Sequence, residues 1–316
     1  MTPDASAAKP GLLLLDRFNQ TTENRFAESF DVHRSYEPGF SLEKYAADIV
    51  AIATSGAKGA PNEVVEHLPR LRIVSIRGVG TDAVDLQLTH RHGIVVTTTP
   101  NLLTDDVADL ALALLLACAR RLCQADRFVR AGGWKPGSAL PLGRKVTGMR
   151  VGIVGLGRVG RAIARRLEAF RATIRYSDIQ AFEDVPYAFA PTVLALAQGC
   201  DALILAASGG PASFRIVDRA VLGALGPQGL LINVARGSLV DEQALVEALV
   251  EHRLGGAGLD VFVDEPNVPS ALLGLDRVVL QPHRASATED TRQAMETLVL
   301  DNLLAHFAGE PLVGVV

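Results

Sequence analysis

The chain has 316 residues, which at roughly 100–200 residues per domain allows about two domains. Apolar residues make up 48% of it, ample for packed cores, and the formal net charge of -4 excludes the strongly basic face that nucleic-acid binding needs. Its three cysteines, Cys118, Cys123 and Cys200, are odd in number and fit no zinc spacing, so no metal site is expected and a reducing compartment suits them.

Met1 to Pro10 is polar and lacks the basic and apolar regions of a secretory leader. Short apolar runs then read as buried parallel strands: Gly11 to Leu15, Asp48 to Ala53, Leu71 to Ile76 and Ile94 to Thr98. Helical stretches such as Glu63 to Leu68 fall between them. From Asn101 the pattern turns helical. Thr104 is a candidate cap and Asp105 and Asp106 suit a first turn. Nothing interrupts the helical pattern until Gly132-Gly133, which predicts one continuous connector helix to about Ala131. Its apolar core, Leu110 to Ala119, is far shorter than the ~20 residues a membrane span needs. A cytoplasmic protein with no membrane or nucleic-acid partner is expected.

A second series of strands and helices starts at Arg150. Strands are predicted at Val151 to Val154, Thr173 to Tyr176, Ala202 to Ala206, Leu230 to Val234, Ala257 to Val261 and Val278 to Leu280. Helices are predicted to about Phe170, at Asp241 to Glu251, and at Glu289 to Phe307. Alternation of this kind implies parallel sheets covered by helices on both faces.

The first strand of this series runs into Gly155-Leu-Gly-Arg-Val-Gly160. A glycine fingerprint means little alone, but here a strand precedes it and a helix follows. Gly155 allows the tight turn, Gly157 admits a pyrophosphate against the backbone, and Gly160 lets helix and strand pack closely. The bare amides of the helix N-terminus, around Arg158 and Val159, suit phosphate. This predicts a Rossmann dinucleotide-binding unit. The second strand ends at Asp178, about 20 residues on, where a carboxylate binds ribose hydroxyls and repels a 2′-phosphate. No Arg or Lys follows in Ile179 to Phe182, which favours NAD over NADP.

Three further segments lie at or just past strand ends, where doubly wound sheets place their ligands. They are Asn233 to Gly237, Gly258 to Pro266 and Gln281 to Ser286. Arg236 suits a bidentate grip on a carboxylate and polarisation of the carbonyl beside it. His283 suits proton transfer to a ketone or from a hydroxyl near neutral pH. Glu265 suits pairing with that histidine and fixing its ring. Each alone has a purely structural reading; the three together suggest a division of labour.

With these motifs in order, the chain resembles the NAD(P)-dependent D-isomer-specific 2-hydroxyacid dehydrogenases from Leu12 to its C-terminus. Asn233-Val-Ala-Arg-Gly-Ser238, Gly258-Leu-Asp-Val-Phe262, Asp264-Glu-Pro266 and Pro282-His283 carry the resemblance beside the glycine turn. It implies an α/β fold of two doubly wound parallel-sheet domains, a Rossmann domain inserted in a flavodoxin-like substrate domain. The expected bounds are 1–98 for the first part of the substrate domain, 99–286 for the dinucleotide domain, and 287–316 for the helix returning to the substrate domain. It implies catalytic Arg236, Glu265 and His283, with Asp260, Thr104, Val234 and Ala235 among the cofactor contacts. It implies that Gly78-Val79-Gly80 meets the substrate carboxylate, and that the chain forms a homodimer, for which the Leu- and Ala-rich connector would supply a buried interface. Asp126 to Arg130, Gly133-Trp134 and Ala206 to Gly210 are similar to the hydroxypyruvate/glyoxylate and 2-ketogluconate reductase branch. Many members there carry an Arg where this chain has Asp178-Ile179, a departure that speaks against NADP.

The leading expectation is an oxidoreductase moving hydride between NAD(H) and a small 2-keto or 2-hydroxy acid. The alternative is an NAD-sensing binding protein of corepressor type on the same fold, which need not keep the complete Arg, Glu and His set. An L-hydroxyacid enzyme would need its histidine elsewhere relative to the glycines. Arg77 and Trp134 are candidates to line the side-chain pocket.

Overall fold

The structure, a computed structural model, describes residues 9–316, so the expectation for Met1 to Pro10 lies, for residues 1–8, outside the described residues. The chain divides into two compact units. The first comprises the described residues up to Leu103 together with Thr288–Val316; the second is Thr104–Ala287.

The first unit runs β1 (Gly11–Leu14), α1 (Gln20–Ser29), β2 (Asp31–Arg34), α2 (Leu42–Tyr45), β3 (Ile49–Ser55), α3 (Asn62–Glu66), β4 (Ile73–Arg77), α4 (Leu86–Arg91) and β5 (Val95–Thr97). All five strands are parallel in the order β2-β1-β3-β4-β5, the flavodoxin-like arrangement. Successive residues of β1 enter opposite cores: Leu13 joins Ile52 and Val74, whereas Leu12 and Leu14 join Phe26 and Ala53. Both faces of the sheet are covered, so the central strands read as unbroken apolar runs. Strand β2, Asp-Val-His-Arg, was not expected. It is an edge strand with one apolar residue, and charge on an edge blunts unwanted pairing.

The second unit runs α5 (Thr104–Arg120), α6 (Leu122–Arg130), β6 (Arg150–Val154), α7 (Arg158–Glu168), β7 (Thr173–Ser177), β8 (Ala188–Phe189), α8 (Val193–Ala197), β9 (Ala202–Leu205), α9 (Arg219–Leu225), β10 (Leu230–Asn233), α10 (Glu242–Val250), β11 (Gly256–Leu259), α11 (Ser270–Leu273) and β12 (Val278–Leu280). The seven parallel strands run β8-β7-β6-β9-β10-β11-β12. Numbered within the unit, that is 3-2-1-4-5-6-7, the Rossmann order with one added strand. A final helix, α12 (Glu289–Ala308), capped by Thr288, packs Val299, Leu300 and Leu303 into the first unit's core. The dinucleotide-type unit is therefore an insertion in the flavodoxin-like one.

The expected single connector helix is two. Arg121 takes a left-handed φ of +55° between α5 and α6. The halves have different surroundings. Val107, Ala111, Leu114 and Leu115 of α5 are buried, and α5 packs on α7, β10 and β11, while no residue of α6 is buried. Packing of α5 sets its direction, and Arg121 accommodates the turn without a Gly or Pro to announce it. Thr104 stands as the first residue of α5 rather than as a cap before it. The connector's apolar face is thus buried inside the second unit, where the sequence suggested a buried interface between subunits. Among the described residues no helix is long and apolar enough to cross a membrane, and no cluster of three His, Cys, Asp or Glu side chains is placed to hold a metal.

Candidate active site

The glycine turn closes the C-terminal end of β6. Gly155 has φ +87°, and a Cβ there would lie 2.6 Å from the Ala207 backbone. A Cβ on Gly160 would overlap the Gly155 carbonyl oxygen, so only glycine lets α7 start this close to β6. Gly157 is different: a Cβ there would meet nothing within 4 Å. The open space lies over the residue that begins α7, whose first amides have no helical partner. A pyrophosphate fits that cradle, and Arg158 and Val159 form the first turn beneath it.

Asp178 follows β7 and is half-buried. One carboxylate oxygen accepts the Leu156 N–H at 2.7 Å and the other accepts the Ile179 N–H at 2.7 Å. The acid is tied to the glycine turn itself, and its remaining lone pairs are available to ribose hydroxyls. Ile179 beside it is 98% exposed, so the loop after β7 presents no cation there.

The turn after β10 carries Arg236. Asn233, itself buried, accepts the Ala235 N–H at 3.0 Å and donates to the Arg236 carbonyl at 2.9 Å, stapling Val234 and Ala235 into a tight loop. The Arg236 guanidinium donates to the Ala235 carbonyl at 2.7 Å. A Cβ on Gly237 would overlap the Phe262 carbonyl, so glycine here lets the arginine loop press against the segment that carries Glu265.

Glu265 Oε2 lies 2.6 Å from His283 Nδ1, and Glu265 Oε1 accepts the Phe262 N–H at 3.0 Å. Burial raises the Glu265 carboxyl. The His283 hydrogen bond, the Phe262 amide and the neighbouring Arg236 charge outweigh this, and the net shift is downward. The carboxylate is therefore ionised at neutral pH, which directs the Nδ1 proton of His283 towards it and leaves Nε2 for other work.

His283 has a left-handed φ of +50°, uncommon for a residue with a side chain. Asp260 holds it there. The Asp260 carbonyl accepts the His283 N–H at 2.8 Å, and its two carboxylate oxygens accept the amides of Arg284 at 2.7 Å and Ala285 at 2.9 Å. Asp260 is fully buried, and desolvation raises its pKa despite those two amides. The sequence pointed to Asp260 through the cofactor. In the structure its carboxylate aims the histidine loop, a role no spacing rule signals. Asn233 went unassigned for the same reason.

In the first unit, Gly78-Val79-Gly80 follows β4. Gly78 donates its N–H to Thr99 Oγ1 at 2.9 Å, while the amides of Val79 and Gly80 make no intramolecular hydrogen bond among the described residues. The side chain of Arg77, expected to line a pocket, is largely covered by its partners instead. It pairs with Glu296 at 2.7 Å and Asp16 at 3.3 Å and lies over the Phe18 ring. Trp134 is 78% exposed.

A 3-2-1-4-5-6-7 parallel sheet with this glycine turn and a carboxylate at the end of its second strand defines a dinucleotide-binding α/β protein. The Glu–His pair and the arginine past neighbouring strand ends give it the outline of a dehydrogenase. Comparison with known proteins agrees. Residues 112–285 match the family model described as D-isomer specific 2-hydroxyacid dehydrogenase, NAD binding domain. The chain is 46% identical over 307 residues to the 2-ketogluconate reductase of Gluconobacter oxydans (strain 621H), covering 97% of this chain and 98% of the relative. It is 47% identical to glyoxylate/hydroxypyruvate reductase A HPR2 of Arabidopsis thaliana, over 96% and 97% of the two chains. The crystal structure of an NADPH-dependent glyoxylate/hydroxypyruvate reductase from Sinorhizobium meliloti, in complex with NADP and malonate, superposes with a TM-score of 0.91 at 43% identity, covering 98% of this chain and 97% of that one.

The chain belongs to the D-isomer-specific 2-hydroxyacid dehydrogenase family, in its reductase branch. It is an NAD(P)-linked oxidoreductase that transfers hydride on a small 2-hydroxy acid, and the sensor alternative is not favoured.

Proposed function

We propose that the protein reduces a small 2-keto acid to the D-2-hydroxy acid with NADH as the preferred cofactor. Glyoxylate, hydroxypyruvate and 2-ketogluconate are the substrates to consider first, because relatives named for them are 46–47% identical. The observation that carries the reading is the 2.6 Å Glu265–His283 pair on a backbone held by Asp260. The nicotinamide cofactor supplies the hydride when bound. His283 delivers the proton to the carbonyl oxygen, with Glu265 orienting the ring. Arg236 grips the substrate carboxylate and polarises the adjacent carbonyl. Within the first unit, the amides of Val79 and Gly80, in the loop opened by Gly78, stand ready to donate to a carboxylate.

Gly155, Gly157, Arg158, Val159 and Gly160 hold the pyrophosphate in this reading, and Asp178 holds the ribose. Val234, Ala235, Thr104 and Asp260 flank the remainder of the cofactor. The preference for NAD rests on Asp178, whose negative charge opposes a 2′-phosphate, and on the cation-free loop after it. The assembly proposed is a homodimer in the cytoplasm. With the face of α5 buried, the exposed apolar side chains Leu122, Val129, Trp134 and Leu142, on and after α6, support association.

The test is a panel of glyoxylate, hydroxypyruvate and 2-ketogluconate, each with NADH and with NADPH, and chiral analysis of the product. Turnover with NADH to the D product is expected. Tight cofactor binding without turnover on any of the acids would return the sensor reading.

A further inference from the structure

Asp178 accounts for only one side of the adenosine end of the cradle. On the other side stands Arg161, one turn into α7. Its Nε donates to the Leu156 carbonyl at 3.1 Å, and Leu156 is the residue whose N–H Asp178 accepts. Carboxylate and guanidinium therefore hold the same residue of the glycine turn by its two ends. Arg161 is thus a cation beside the part of the turn that Asp178 holds. Its terminal nitrogens are already committed, however: Nη1 lies 2.6 Å and Nη2 3.0 Å from the two oxygens of Asp184, a bidentate clamp. The guanidinium also lies 4.9 Å from the centre of the Phe182 ring. Phe182 in turn donates its N–H to the Tyr176 hydroxyl at 2.7 Å, which fixes the loop from Asp178 to Asp184 against β7. Every nitrogen of Arg161 thus has a partner, and the charge facing the adenosine site is cancelled by an acid from the specificity loop itself.

We propose that Asp184 is a second determinant of cofactor choice, acting by occupying Arg161 so that it cannot bind a 2′-phosphate. The inference rests on the reading of Asp178 as the ribose carboxylate and extends it. Exclusion of the phosphorylated cofactor then has two parts. Asp178 repels the phosphate directly, and Asp184 withholds the Arg161 guanidinium beside it. Asp184 is a specificity residue that acts through Arg161; it touches neither cofactor nor substrate. The idea also accounts for the presence of a cation on α7 in a chain whose loop after β7 has none.

The experiment measures binding of 2′,5′-ADP and of AMP by calorimetry, and NADPH against NADH turnover, for the wild-type chain, D184A, D184N and R161A/D184A. Wild type is expected to bind AMP in preference to 2′,5′-ADP. Freeing Arg161 restores a charge-assisted contact, so D184A and D184N are expected to improve both the 2′,5′-ADP:AMP and the NADPH:NADH ratio by about tenfold. The double variant R161A/D184A should lose that gain. Unchanged ratios in D184A and D184N, or a gain that survives in R161A/D184A, would overturn the proposal. If the wild-type chain already binds 2′,5′-ADP as tightly as AMP, the reading of Asp178 falls, and the lock with it. If wild type rejects 2′,5′-ADP and D184A still does, only the Asp184 inference falls.

Discussion

At Asp260 a carboxylate fully removed from solvent accepts two successive amides and, through its own carbonyl, a third, and so holds His283 in a conformation few side-chain-bearing residues adopt. Glu265 completes the arrangement from the opposite side, at 2.6 Å. Its carboxyl titrates below the ordinary 4.5 in the folded chain, because the His283 hydrogen bond, the Phe262 amide and the Arg236 charge overcome burial. A depressed carboxyl adds stability that is fully present above its unfolded value and is lost as pH falls through the lower folded one. The difference in Tm between wild type and Glu265→Gln should therefore be constant above about pH 5.5 and shrink as the pH drops below about 4.5. Thermal melts across that range check it; a difference that grows on acidification would contradict the assignment. The placement of Arg236, Glu265 and His283 past strand ends was legible, because these residue types stand out at the ends of apolar runs. Asp260 and Asn233 were not legible in their observed roles. Their work is backbone hydrogen bonding, which any Asp or Asn can do and only the folded turn reveals.

The strand-to-helix turn from β6 into α7 separates packing from binding within six residues. Gly160 has no room for a Cβ, since it would overlap the Gly155 carbonyl, whereas Gly157 has room and faces open space. Gly160→Ala should then cost about 1–3 kcal/mol of stability, the usual cost of overpacking. Gly157→Ala, at an extended φ of -72°, should leave Tm within a degree or two while weakening NADH binding by about tenfold or more, because the added methyl stands where the pyrophosphate approaches. Calorimetry and melting curves on both variants distinguish the two. Equal loss of Tm in both would show that the open cradle is not a binding surface. Buried strands such as β6 and β10 could be read from their apolar runs. The edge strands β2 and β8 could not, being polar or only two residues long. The break at Arg121 was equally hidden, because the packing of α5 dictates it and no local residue does.

Across the whole molecule, two parallel sheets of different order, one inserted in the other, arise from a single alternation of strands and helices. The alternation was plain in the sequence; the strand orders were implied only by resemblance, since the same runs suit several doubly wound topologies. The larger sheet brings together the ends of β6, β7, β10, β11 and β12, and so gathers a glycine turn, the carboxylate of Asp178 and the Arg, Glu and His set from segments far apart in the chain. We propose that in this gathering His283 is the proton donor. It is tested most directly by the steady-state turnover of His283→Ala on the best acid of the panel, with NADH affinity measured on the same sample. A fall in kcat of about 10²–10⁴-fold with cofactor affinity retained is expected. Turnover near that of the wild-type chain would contradict it.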